Sequence, residues 1–276
     1  VSWAAKLESL DRRVIFIFIF LAVLYPLFNP IGLPIRPSNE STAFFDEIEK
    51  LTAGQTVYLA ADYDPGSAPE LQPMLDAAIR QLCRKNIKIV AGSLWPACPP
   101  LVNRTFTEIA IGEFQKERGV DFINLGFKEG REVVMVQLGE DMHSTYPVDY
   151  EGNAVSELPI MTNIHNYDDV ALIVNISAGY PGTKEWVQQV ASRFNKKLVA
   201  GCTAVSAPEY YPYFQSGQLV GLLGGLAGAA EYEKLVGGAG SAARKMDAQS
   251  LGHVVIILFI LMGNIVYFVR KREEKA

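Results

Sequence analysis

Two aspartates one residue apart, Asp62 and Asp64, follow an apolar run at residues 56–61. Carboxylates at that spacing after a strand can share a divalent cation such as Mg²⁺, or one can act as a nucleophile. The same residues also fit a plain turn, in which Asp64-Pro65-Gly66 reverses the chain and Ser67 caps the helix that follows. Ser93, Asn124, Ser177 and Thr203 occupy matching places after later apolar runs. In open α/β sheets ligands bind beyond the carboxyl ends of the strands. These six residues therefore make one candidate ligand pocket.

The aspartate pair resembles the first motif of the haloacid-dehalogenase-like phosphatases, over this loop alone. That resemblance implies a Mg²⁺-dependent nucleophilic aspartate. The departures lie elsewhere: the chain has no convincing counterpart of the family's lysine, and Asp168-Asp169 precede an apolar run where the family's last acidic motif follows one. Mg²⁺ is the only cofactor the sequence suggests, and it calls for none outright.

Other chemistry-bearing residues are sparse. No glycine-rich dinucleotide or P-loop motif occurs, although 177–183 lead into a helix start whose free amides could take an anion. His143 and His165 share one long connection and would need carboxylates beside them to hold a metal. The three cysteines form no zinc pattern. Cys83 ends a helix at one edge of the expected sheet, while Cys98 and Cys202 follow strands at the other edge, beyond the disulfide reach of about 7 Å. Cys98 and Cys202 could pair only if their strands are neighbours. The expectation is a disulfide-free domain.

These residues have to be positioned by alternating elements. Apolar runs at 56–61, 87–94, 120–125, 170–177 and 197–202 read as strands, with amphipathic helices at 68–85, 102–118 and 183–194 between them. The pattern predicts an α/β fold: a doubly wound, mostly parallel, five-stranded Rossmann-like or flavodoxin-like sheet. A short helix at 43–51 precedes it. Residues 126–169 form an unusually long connection, with a helix at 129–142, of the kind that serves as a lid or a partner surface.

A second unusual stretch is rich in glycine. Gly217, Gly221, Gly224 and Gly228 advance by four, three and four, so a helix over 216–235 would carry them on one face. Mid-helix glycines cost about 1 kcal/mol each. Close packing, against the chain's own sheet or against another subunit, would have to offset that, and this face is the candidate interface.

Apolar runs near the two ends complete the organisation: residues 1–36 with a first transmembrane helix, 37–250 as the α/β domain, and 251–276 with a second helix and a basic tail. Residues 14–35 would span about 33 Å as a helix, against about 30 Å of hydrocarbon. No small-residue cleavage site follows the first run, which marks it as an uncleaved anchor. Lys6, Arg12 and Arg13 before the first run, and Arg270, Lys271, Arg272 and Lys275 after the second, predict cytoplasmic termini and an extracytoplasmic domain. The domain carries 17 Lys and Arg against 26 Asp and Glu, which excludes nucleic acid as a partner. The expected partners are the bilayer and either further copies of the chain or another membrane protein. The sequence thus points to a non-catalytic subunit of a membrane complex, or alternatively to an enzyme or small-ligand receptor using the pocket at Asp62 and Asp64.

Overall fold

A computed structural model describes residues 11–237 and 240–273. Lys6 and Lys275, which figure in the expected orientation, lie outside the described residues, as do Gly238 and Ala239. The chain divides into the domain Ile35–Ala242 and a unit of terminal helices.

The domain contains six parallel strands: β1 (Thr56–Asp62), β2 (Lys88–Ser93), β3 (Phe122–Phe127), β4 (Leu172–Ser177), β5 (Leu198–Cys202) and β6 (Gly221–Gly224). Their order is β3-β2-β1-β4-β5-β6, the doubly wound Rossmann order. β1 lies in register between β2 and β4, with Val57 opposite Ile89 on one side and Leu172 on the other. All four inner strands are buried on both faces, which explains their continuous apolar runs.

Helices cover both faces. In chain order they are α1 (Arg12–Phe28), α2 (Asn39–Glu49), α3 (Ala68–Arg84), α4 (Pro99–Thr105), α5 (Glu132–Glu140), α6 (Met142–Thr145), α7 (Thr183–Trp186), α8 (Ala207–Gln215), α9 (Gly225–Val236) and α10 (Ser241–Glu273). α4 and α7 each continue into a wider π-type turn, Phe106–Ile111 and Val187–Ala191. Ser38 starts α2 by accepting the Ser41 amide, so this helix begins before the expected residue 43. α2, α3 and α9 share one face of the sheet, where the Tyr232 hydroxyl donates to Gln81 at 2.5 Å and the Phe44 and Tyr232 rings meet edge to face.

The opposite face is closed by the long connection. β3 lies at one edge of the sheet and β4 beyond its middle, so the chain must cross β2 and β1, about 14 Å at the usual strand spacing. It crosses as packed structure, with one side buried on the sheet. Met135, Leu138, Met142, Tyr146, Val155, Ile160, Met161 and Tyr167 are all buried against Tyr58, Val90, Ile123 and Trp186. The Tyr167 hydroxyl donates to the Met135 carbonyl at 3.0 Å and ties the end of the crossover to its start.

The glycine-rich stretch departs most from expectation. Gly217 sits in a turn, residues 221–224 form β6, and only Gly228 of the four lies within a helix. They share no helix face, and the five-stranded sheet becomes six-stranded. The reason is close approach: a Cβ on Gly221 would lie 2.4 Å from Phe44 Cα and 2.6 Å from Phe44 N. The glycine is needed where an edge strand passes directly under the backbone of α2.

In the terminal unit, α1 stops at Phe28, with Pro26 in its last turn, and the chain continues extended. α1 is about 26 Å long at 1.5 Å per residue. Among the described residues one helix, Ser241–Arg272, is long and apolar enough to cross a membrane, not two. α1 and α10 pack antiparallel: Phe18 meets Phe259 edge to face at 6.0 Å, and Val23 lies beside Gly252. Near the other end Asp247, almost fully buried, accepts the amides of Ile31 and Gly32 (both 2.9 Å) and of Leu33 (3.1 Å). Gly32 allows this reversal with φ +69°.

The two accounts of Gly221 predict opposite effects. Alanine in place of a mid-helix glycine would stabilise by about 1 kcal/mol. Under Phe44 it overpacks, and Gly221→Ala is expected to cost about 1–3 kcal/mol. Thermal unfolding of the detergent-solubilised chain reads the sign, and a higher Tm would overturn the β6 assignment.

Candidate functional site at the carboxyl edge

β1 and β4 sit where the strand order reverses, and the crevice above such a point is the usual ligand site of this architecture. Asp62, the last residue of β1, points into the face covered by α7 and the crossover. It is fully buried. One carboxylate oxygen accepts the Leu94 amide at 2.6 Å and the other accepts the Trp186 indole N–H at 2.8 Å. Burial away from water pushes its pKa up to about 7, against the opposing hydrogen bonds from Leu94, Trp186 and Ser93.

Asp64 serves a different element. It accepts the Ser67 amide (2.9 Å) and the Ser67 hydroxyl (3.1 Å), stapling the first turn of α3, and these bonds hold its pKa below the ordinary carboxylate value. The turn half of the alternative describes this loop, while Ser67 stands at the helix start without a side-chain cap bond. Asp64 supplies the capping acceptor, and Ser67 is its donor.

The remaining expected pocket residues are each tied to a neighbouring segment. The Ser93 hydroxyl donates to the Trp95 carbonyl and accepts the Trp95 amide. Asn124 donates to the Pro99 carbonyl and accepts the Gly126 amide. Ser177 and Thr183 both donate to Asn175 Oδ1, at 2.9 and 2.8 Å, and lie 3.0 Å from each other. Thr203 bonds Ser206 in the turn before α8. Among the described residues no buried side-chain nitrogen or oxygen lacks a hydrogen-bond partner. The structure thus joins Asp62 to the Ser93 loop and Asn124 to Pro99, while Ser177 and Thr203 each serve their own strand end.

Two tryptophans occupy the crevice, and neither was among the expected site residues. Trp186 lies below, with its indole on Asp62 and its ring 5.7 Å from that of Tyr58. Trp95 lies above, donating to the Pro181 carbonyl at 3.0 Å while its ring covers Gly179. It thereby bridges the loops after β2 and β4, over the end of β1 between them. The first turn of α7 was visible in the sequence. That this turn overlies β1 depends on strand order, which no local pattern encodes.

The other candidates resolve similarly. His143 and His165 do come together, stacked at 5.1 Å. His143 Nε2 faces two acceptors, the Met161 and Ile164 carbonyls at 3.2 and 2.9 Å, so it carries the hydrogen. Among the described residues no group of three His, Cys, Asp or Glu could hold a metal. Cys83, Cys98 and Cys202 are free and buried. β1 and β4 separate the strands that precede Cys98 and Cys202, which removes the one pairing the sequence left open. Burial pushes the Cys202 thiol up to about 12, so it stays protonated and is no nucleophile. A cleft of about 380 Å³ opens at the opposite, amino edge, beside Gln55, Lys88, Asn163 and Asp168. There Asp168 pairs with Lys196, and the neighbouring Asp169 accepts the amides of His165 and Asn166.

The Asp62 clasp has a definite pH signature. Its folded pKa, about 7, lies above the ordinary value of 3.8. Between those values the folded chain holds a proton that the unfolded chain releases. The contribution to stability is therefore full below about pH 4 and is lost as pH rises through 7, by on the order of a few kcal/mol. Unfolding of wild type and Asp62→Asn, compared from pH 4.5 to 8, should show this fall in the wild type alone. Parallel curves would remove Asp62 as its source. Comparison of the chain with protein-family models, with curated proteins and with solved structures finds no match.

Proposed function

We propose that the chain is a membrane-anchored, non-catalytic α/β subunit of an oligomeric membrane complex. The observation that carries this reading is α10. It runs for 33 residues, and only 11% of its most apolar window is covered by protein. Such a surface needs lipid or protein around it. α1 packs alongside with Phe16, Ile17, Phe20 and Leu21 outward and adds to the same apolar surface. Because the two helices are antiparallel, Arg12 and Arg13 lie at the same end as Arg270, Lys271 and Arg272. A basic cluster at one end favours cytoplasmic termini and a domain outside the cytoplasm.

Two features of the domain favour binding over catalysis. Asp62 and Asp64, the core of the enzyme or ligand-receptor alternative, are engaged by Leu94, Trp186 and Ser67. Apolar side chains also protrude from three strand-end loops: Phe127, Tyr180 and Val205, the last 90% exposed. Protruding aromatic and aliphatic groups beside Arg131, whose guanidinium stacks on Tyr180, are the usual makings of a protein contact.

The test combines extraction and labelling. The chain should stay in the membrane pellet through alkaline carbonate. Because the native cysteines are buried, single-site labelling by a membrane-impermeant maleimide should reach Val205→Cys in intact cells and Arg272→Cys only after permeabilisation. Release by carbonate would overturn the anchoring, and the reverse labelling would invert the orientation. Native mass spectrometry of detergent extracts should show a discrete oligomer, and a monomer would refute the assembly.

A further inference from the structure

Along the apolar run of α10 the structure covers one seam and leaves the rest of the helix exposed, including the one seam that carries an asparagine. Gly252, Val255, Phe259, Met262, Val266 and Val269 recur at steps of three and four, and all are buried or half-buried. This seam carries the Phe259 and Gly252 contacts with α1. His253, Ile257, Ile260, Asn264, Tyr267 and Lys271 recur at the same steps, and all are exposed, with Ile257, Ile260 and Tyr267 at 54%, 57% and 58%. At about 100° per residue this second seam faces about 150° away from the first.

Asn264 is the informative residue on that seam. The apolar run 251–269 centres on residue 260, so Asn264 lies about 6 Å from the middle of a hydrocarbon layer about 30 Å thick. Its Nδ2 donates to the Ile260 carbonyl one turn back, at 2.9 Å. Its Oδ1 and second Nδ2 hydrogen have no partner among the described residues. α1 cannot supply one from the opposite side of the helix. A primary amide facing hydrocarbon with an unused donor and acceptor is costly.

We infer that this seam is a homotypic contact, with the α10 of a second copy of the chain as its occupant. The inference rests on the proposed anchoring. Copies inserted in one membrane share one orientation, so their α10 helices run parallel and every Asn264 lies at the same depth. The amide is self-complementary: Nδ2 of one copy meets Oδ1 of the other, and the reverse, across a two-fold axis. Ile257, Ile260 and Tyr267 pack on either side, and Lys271, which lies over the ring of its own Tyr267, extends beyond the apolar run. One asparagine in an otherwise apolar seam fixes register and partner number.

Disulfide crosslinking of the full chain in native membranes tests this. Single cysteines at Ile257, Ile260, Asn264 and Tyr267 should give covalent dimers, and cysteines at Leu258 and Ile265, on a flank of the helix, should not. With the Ile260→Cys reporter, adding Asn264→Leu should weaken dimer formation about three- to thirtyfold, while Asn264→Gln should retain most of it. Dimers at every position alike, dimers at none, or an undiminished Asn264→Leu would overturn the inference while leaving the chain in the membrane pellet. Recovery of the chain in the soluble fraction would overturn the anchoring, and this contact with it.

Discussion

The buried carboxylate of Asp62 is the constraint around which the domain is organised. A charge-bearing group with no exposure to water must find its partners within the protein, and here they come from separate segments. The Leu94 amide fixes the end of β2 against β1, and the Trp186 indole fixes the first turns of α7 over both. Trp186 in turn anchors the crossover, because Tyr58, Tyr146 and Tyr167 gather in the same cluster. The point where a doubly wound sheet would open into a ligand crevice is thereby made into a joint.

That change of use accounts for the rest of the carboxyl edge. Polar residues collect there, as they do in enzymes of this architecture, but their hydrogen bonds run to the next loop or helix turn. The triad of Asn175, Ser177 and Thr183 seats α7, and Asn124 holds the chain before α4. On the proposed reading, function lies outward, in the protruding loops and in the helices at the ends of the chain.

Much of the architecture was legible in the sequence. The four inner strands and the edge strand β3 have continuous apolar runs because they are covered on both faces, and the helices between them follow from their periodicity. β6 was not legible: its four residues, Gly-Leu-Leu-Gly, sit inside spacing that also suits a helix, and only the approach of Phe44 from far along the chain decides between them. The surroundings of the candidate residues were not legible for a similar reason. Residue type and strand ends located Asp62, Ser93, Asn124, Ser177 and Thr203. Their hydrogen-bond partners, above all Trp95 and Trp186, come from segments whose neighbourhood is set by strand order. The length of α1 was overestimated because apolar character continues past Phe28, although Pro26 and Pro30 already marked its end.

The grip of Asp247 on the amides of Ile31, Gly32 and Leu33 has a consequence for biosynthesis. The bond closes only after everything between its partners has been translated. At about 5–20 residues per second, α1 must wait roughly 10–45 s for its partner helix. Throughout that interval α1 and the residues after it lack their partner helix. The late arrival of α10 then acts as a latch, making closure of the terminal unit the last step of assembly.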